Sequence, residues 1–406
     1  MQDKLMKHIS MTSQFCSGCT ACASVCSKGA ISFSVDEEGF KVPIVDEHIC
    51  IDCGLCVKTC PAINIKDCAI ELPPQAYALQ YHDEDVRKHS ASGALFPAFA
   101  NYFINTLHGY VCGCILDEDL RPKHIVSNQW EDVGRMQDSK YVQSDIGNCF
   151  AEIIALLKDE RYVLFSGTSC QVKGLQSALE SKHINTEKLL TIDFFCHGVP
   201  SPLIWSDYLH YTQQKLRFKA ENYRFRNKKY GWGKGTQSRG TGYLSTWKYL
   251  GTWHEVPSLI ARIWPRIFFS NLCLRRYCHT CPYTKVEKPA DITMGDFWGV
   301  EKFHPNFDDH KGCSMAIAHN MKAEKFINLL PNTEILNVSI NEVIKCQGNA
   351  FAPSKPHPMR NEFWEDYTSK GFSFILHKYF YYSTMGILKA GIKYVLFKLH
   401  LRKYSY

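Results

Sequence analysis

Eight of the chain's nineteen cysteines fall into two runs of one pattern, C-x2-C-x2-C-x3-C. The first run is Cys16, Cys19, Cys22 and Cys26; the second is Cys50, Cys53, Cys56 and Cys60, followed by Pro61. In such a pair, three closely spaced thiolates hold one [4Fe-4S] cube and the fourth cysteine crosses to the other cube. The expected ligand sets are Cys16, Cys19, Cys22 and Cys60 for one cube, and Cys50, Cys53, Cys56 and Cys26 for the other. Soft thiolates suit iron-sulfur clusters, and this doubled spacing argues against paired zinc sites or disulfides. Ser27 stands where the first run usually carries proline, which alters the turn after Cys26 and not the ligand set.

Four further cysteines sit beside strand-like segments. Tyr162 to Phe165 reads as a buried strand, Ser166 to Cys170 as a tight turn, and Gln171 to Ser181 as an amphipathic helix with Val172, Leu175 and Leu179 on one face. Leu189 to Phe195 is the next strand, and Cys196-His197-Gly198-Val199-Pro200 the turn after it. Strand, helix, strand in this length is a βαβ unit with two parallel strands. It places Cys170 and Cys196 just past the carboxyl ends of those strands, where open α/β sheets bind ligands. Cys278-x2-Cys281 supplies a further pair in a basic loop. Two readings stand side by side: a third [4Fe-4S] cluster held by Cys170, Cys196, Cys278 and Cys281, or two buried structural thiols beside a small zinc knuckle. The remaining cysteines, Cys68, Cys112, Cys114, Cys149, Cys273, Cys313 and Cys346, read mostly as buried thiols, with Cys273 a spare neighbour of the core set.

The elements that position these groups follow in order. Ala30 to Val35 and Phe40 to Val45 are short strands around the turn Asp36 to Gly39, and Glu71 to Pro74 is a linker. Ala76 to Tyr81 alternates as a strand and leads into a helical run opening at Asp85 to Phe96 and reaching about Leu107. Ser92 and Gly93 lie near its start, where free backbone amides suit an electron-rich ligand or an ordinary cap. Tyr110 to Leu116 and Lys123 to Ser127 are strands, the polar loop Asp138 to Ser144 feeds a helix from about Ile146 to Leu157, and Ala290 to Gly299 is a strand ending in Gly295-Asp296-Phe297-Trp298-Gly299. Met385 to Arg402 has the period of a basic amphipathic helix, suited to an anionic membrane surface, to a partner, or to its own domain.

The chain of 406 residues is long enough for two to three domains. Residues Met1 to Met11 are polar and form no signal-peptide core, so this many cysteines point to metal in a reducing cytoplasm. No apolar run reaches the roughly 18 residues of a membrane span. The net charge of +7 comes without a nucleic-acid motif, and is expected to attract an acidic, ferredoxin-like redox partner.

Taken together, Ser92-Gly93, Ser139-Lys140-Tyr141, Leu164 to Cys170, Thr191 to Pro202, Cys278-x2-Cys281, Gly295 to Gly299 and Lys311-Gly312-x-Ser314 resemble the coenzyme F420 hydrogenase/dehydrogenase beta-subunit family over about residues 76 to 330. The fused front unit is similar to that of the bacterial branch, whose members often lie beside surface-polysaccharide genes in organisms not known to make F420. The resemblance implies an α/β fold: a dicluster ferredoxin-type domain (1–70), then a flavin- and [4Fe-4S]-binding core with parallel βαβ units in two parts (76–155 and 156–342), and a C-terminal extension (343–406). It implies FAD on that core, with Ser92, Gly93, Ser139, Lys140, Thr168, Gly295 and Asp296 in its pocket, and it puts Cys170, Cys196, Cys278 and Cys281 on cluster-ligand positions. The implied activity is an iron-sulfur flavoprotein oxidoreductase that passes electrons between a ferredoxin-like partner, three [4Fe-4S] clusters, FAD and a small organic substrate, one linked to surface polysaccharide by this resemblance. Lys140, His197 and Asp296 are the candidates for polarising flavin or substrate. Oxidation of reduced coenzyme F420 and a purely electron-carrying role in a larger complex are the alternatives.

Overall fold

The computed structural model describes residues 8–10, 14–65, 73–226, 228, 232, 245–255, 260, 262–345 and 347–380. The front unit is a hairpin, β1 (Ile31–Val35) paired antiparallel with β2 (Lys41–Val45), flanked by the one-turn helices α1 (Ala21–Val25) and α2 (Leu55–Thr59). Each of these helices starts from a left-handed residue, Thr20 and Gly54, a conformation that turns the chain sharply around each cysteine run.

The core is one eight-stranded mixed sheet in the order β13-β3-β12-β11-β7-β6-β4-β5. Its strands are β3 (Gln75–Tyr81), β4 (Tyr110–Leu116), β5 (Pro122–Ser127), β6 (Val163–Ser166), β7 (Leu189–Phe194), β11 (Ile292–Asp296), β12 (Ser314–Ala318) and β13 (Thr333–Val338). The central run β4, β6, β7 and β11 is parallel and its outer neighbours are antiparallel. The expected βαβ unit is present as β6, α7 (Ser169–Ser181) and β7. Strands from both expected halves of the core interleave in this sheet, since β3 lies between β12 and β13. A smaller antiparallel sheet joins β8 (Asn222–Arg224), β9 (Thr246–Tyr249) and β10 (Thr252–Glu255).

The helical run expected from Asp85 to Leu107 is instead α3 (Glu84–Lys88), a loop, and α4 (Leu95–Asn101) continued by a π-turn over Tyr102–Thr106. The left-handed Ala94 separates α3 from α4. The next helices are α5 (Trp130–Met136), α6 (Cys149–Lys158) and α8 (Pro202–Leu216), with Ile263–Phe269 and Arg360–Ile375 further on. Phe99, Phe103, Leu164, Ile192 and Ala316 pack α4 against one region of the sheet. A second core gathers Trp205, Tyr208, Tyr223, Trp247, Trp264 and Phe363, and edge-to-face contacts of Trp205 with Tyr223 and Trp264, and of Tyr211 with Phe372, tie α8 to the small sheet, to Ile263–Phe269 and to Arg360–Ile375. The basic amphipathic segment Met385 to Arg402, Glu71, Leu72, Cys68 and Cys346 lie outside the described residues.

Candidate functional site: three thiol sets and a cavity

The front unit docks its first cysteine run onto the core. Gly174 on α7 faces Cys19, where an added Cβ would stand 2.9 Å from both its Cβ and its sulfur. Gly18 has φ +74, and a side chain there would run into Gln143 and Arg275. Buried Arg275 closes the seam: its Nε donates to the Cys16 carbonyl at 2.5 Å, Nη2 to the Lys41 carbonyl at 2.9 Å and Nη1 to Gln143 Oε1 at 3.0 Å. On the other side, Glu38 of the front hairpin takes a two-pronged ion pair from Arg360 and a further one from Arg276.

Cys16, Cys19, Cys22 and Cys60 lie close enough to influence one another. Burial pushes the Cys19 thiol up to about 12, and the neighbouring sulfurs of Cys16, Cys60 and Cys170 add to the rise. Cys22 is raised by burial and then by Cys19, Cys16 and Cys60. In the second set Cys56 is raised by burial and by Cys53. Backbone amides of Gly18, Ala30 and Ile9 donate to the sulfurs of Cys16, Cys26 and Cys56, each at 3.3 Å, the kind of contact that tunes an iron-sulfur centre.

The core cysteines also meet. Cys170 stands on the first turn of α7, within the helix and not in the turn before it as the sequence suggests, and Cys196 just past β7. Burial raises Cys278 well above its usual range, with Cys196, Cys170 and Cys281 contributing. Cys281 is pushed up to about 12 by burial and then by Cys170 and Cys196, and Cys196 to about 11 by burial and Cys170. Tyr277 lies against both groups: its hydroxyl is raised by burial, then by Tyr283, Cys170, Cys281 and Cys19. Among the described residues no three His, Cys, Asp or Glu side chains close on a single metal ion. One zinc ion, with Zn–S bonds of about 2.3 Å, draws four sulfurs to about 3.8 Å of one another, whereas a cube spreads its ligands over a larger body. All-thiolate donor sets of this kind are the ones that iron-sulfur cubes take.

Beside Cys196 opens a cavity of about 570 Å³, within the roughly 300–1,000 Å³ of cofactor sites. Ser92, Ser139, Lys140, Thr168, Gly295 and Asp296 line it, as do His197 and Cys196. Gly93 does not. It packs where an added Cβ would stand 2.4 Å from the Leu79 carbonyl, and its amide donates to Ser314 Oγ at 2.9 Å, so the open amide expected there is already engaged.

Several lining groups are committed to the fold. Lys140 Nζ donates to the carbonyls of Gln137 (2.6 Å), Arg135 (2.9 Å) and Met136 (3.0 Å), capping α5, and burial lowers its pKa. Thr168 forms a capping box with Gln171 and touches the Cys170 sulfur at 3.1 Å. Both ring nitrogens of His197 are occupied, Nε2 with Asn271 Oδ1 at 2.7 Å and Nδ1 with Ser354 Oγ at 3.1 Å. Burial lowers its pKa, so the neutral ring holds the turn after Cys196.

Sequence reasoning missed Arg226, His124 and Lys288. Arg226, 3% exposed, pairs with Asp296 Oδ2 at 2.8 Å beneath Trp298, and follows the short strand β8, which left no periodic signal. His124 on β5 lines the cavity, with Nε2 3.1 Å from the Ser166 carbonyl and a pKa driven to about 4 chiefly by burial. Buried Lys288 bonds Ser169 Oγ at 3.1 Å and the Tyr283 carbonyl at 2.9 Å, beside the core thiols. Cys114, expected as a buried thiol, lines the cavity, whereas Cys112, Cys149, Cys273 and Cys313 are buried as expected.

Thiol sets of this kind on an α/β sheet define an iron-sulfur redox protein. Residues 15–64 match the 4Fe-4S dicluster domain, and residues 160–342 match the family described as the C terminus of the coenzyme F420 hydrogenase/dehydrogenase beta subunit. Residues 160–342 therefore carry the C-terminal domain of that beta-subunit family, behind a dicluster ferredoxin unit at residues 15–64. No curated protein matches the chain. A solved chain of the F420-reducing [NiFe] hydrogenase complex from Methanosarcina barkeri is 14% identical with a TM-score of 0.45, over 77% of this chain and 92% of that one. Among the described residues no helix is long and apolar enough to cross a membrane.

Proposed function

We propose that the chain is an FAD-dependent iron-sulfur oxidoreductase with a third [4Fe-4S] cluster on Cys170, Cys196, Cys278 and Cys281. The observation that carries this reading is the adjacency of the core thiols and the cavity, for Cys196 belongs to both. FAD, when bound, exchanges single electrons with clusters and hydride with organic molecules.

The chain's own groups supply binding and polarity. Arg226, paired with Asp296, is a guanidinium held in fixed orientation on the cavity wall, suited to a pyrophosphate, whereas the Lys140 ammonium is engaged by the carbonyls at the end of α5. Phe268, Phe269 and Trp298 give it flat apolar wall and keep water out. His124 and His197, both lowered by burial, are neutral near pH 7 and add no competing charge. Asp296, held by Arg226, serves in orientation; a proton-moving role for it, Lys140 or His197 is not required by hydride transfer.

For the organic partner, likeness to the bacterial branch favours a sugar-linked intermediate of surface polysaccharide synthesis in the cytoplasm. The matched family's description favours reduced coenzyme F420 as a second reading. Anaerobic purification with iron, sulfide and flavin analysis tests the proposal: about twelve irons and one flavin per chain are expected at four irons per cube. Eight irons overturn the core cluster, and failure to retain FAD overturns the flavin. Reduced F420 that leaves the bound flavin oxidised excludes the second reading, and turnover by the isolated chain separates an enzyme from a carrier.

A further inference from the structure

The two front clusters are not equivalent. The set of Cys16, Cys19, Cys22 and Cys60 is pressed against α7 and the core, with Cys19 and Cys22 buried. In the set of Cys50, Cys53, Cys56 and Cys26, Cys56 is buried but Cys53 is the single exposed cysteine among those described. Around it Asp46, Glu47, His48, Ile49, Ile51 and Asp52 are all exposed, Ile49 by 46% and Ile51 by 59%. Exposed isoleucines flanking a cluster ligand form the apolar centre that protein contacts prefer, and the carboxylates of Asp46, Glu47 and Asp52 form a charged rim. Between Cys16 and Cys60, besides Glu38, which Arg360 and Arg276 neutralise at the seam, five carboxylates (Asp36, Glu37, Asp46, Glu47, Asp52) stand against three lysines (Lys28, Lys41, Lys58), although the whole chain is basic. The chain's overall sign therefore misleads about the face at which electrons cross.

We propose that the segment Asp46–Cys53 is the docking face for an external one-electron carrier whose own contact surface is ringed by lysine or arginine. The outer cluster exchanges electrons there and the inner cluster relays them toward Cys170. The inference rests on occupied front clusters and is independent of flavin. Each transfer oxidises one iron-sulfur centre and reduces one acceptor centre, and no proton moves.

The test uses full-length protein with its iron content verified and its flavin removed, reduced with dithionite, desalted and mixed by stopped flow with oxidised cytochrome c, a lysine-ringed probe. An acidic plant-type ferredoxin serves as the opposite-charge probe. The expected result is a second-order rate with cytochrome c that falls about tenfold or more between low and physiological salt, as electrostatic steering does. It should fall by a similar factor in Glu47→Lys/Asp52→Lys. The remote control Glu118→Lys/Glu131→Lys, with the same net charge change, should stay within about twofold, since steering is governed by charge near the contact. Equal rates for the two charge-reversed proteins, or faster reaction with the acidic ferredoxin, overturn the proposal. Because flavin is absent, failure here leaves the flavoenzyme reading intact, and a flavin-free native protein would leave this one intact.

Discussion

Arg275 Nε stands 2.5 Å from the carbonyl oxygen of Cys16, joining a buried cation of the core to the backbone of the first cluster ligand. Two further donors of the same guanidinium reach Lys41 and Gln143. Replacing Arg275 by Ala strands these acceptors and is expected to cost about 2–4 kcal/mol, as the loss of charge-assisted hydrogen bonds does. The readout is a lower melting temperature together with loss of iron from the front unit; Arg275→Lys should recover part of both, because one ammonium cannot span three separated acceptors.

Gly174→Val should separate α1 from α7, since a Cβ at 2.9 Å from the Cys19 sulfur has nowhere to go. Purified anaerobically, this variant is expected to carry fewer irons than wild type. Gly134→Ala is the counterpart on exposed α5, where an added Cβ meets nothing within 4 Å, and it should stabilise by about 0.5–1 kcal/mol through helix propensity.

His124 is held to a pKa of about 4 by burial against a usual 6.5. The unfolded chain takes up a proton as pH falls through 6.5 while the folded chain does not until about 4, so this histidine withdraws stability across that window and contributes no further change below it. The full difference is up to about 3 kcal/mol at 1.36 kcal/mol per pH unit. His319, also near 4 through burial, acts in the same direction. Melting curves from pH 7 to 4 should be shallower in His124→Phe than in wild type.

Arg226→Met and Lys140→Met separate cofactor binding from folding. The first leaves the Asp296 carboxylate without its 2.8 Å partner facing the cavity and is expected to weaken FAD binding at least tenfold. The second uncaps α5 and is expected to lower the melting temperature as well. Flavin titration beside thermal unfolding of each variant distinguishes the two.

Much of this was legible because the chemistry is local. The doubled cysteine spacing defines its ligand sets within 45 residues, and the βαβ unit shows in the apolar runs of β6 and β7 and in the face of α7. The order of strands was not legible, because β3 is inserted between β12 and β13 by contacts more than 200 residues apart. Ser92 reached the cavity and Gly93 did not, since the left-handed Ala94 turns the chain between α3 and α4 and sends the Gly93 amide to Ser314. Arg226 and Arg275 look like ordinary surface cations in a basic chain, and only tertiary packing buries them.

The ion pair between Glu38 and Arg360 spans 322 residues of chain. At about 5–20 residues per second of synthesis, the hairpin emerges from the ribosome roughly 15–60 s before the arginine that will clasp it. Until α7, then Arg275 and finally Arg360 have emerged, the nascent front unit is not fully docked, and its cysteine runs are more open to whatever delivers iron and sulfide than in the finished fold. Cofactor loading thus has a natural early window that closes when the Arg360–Ile375 helix folds back.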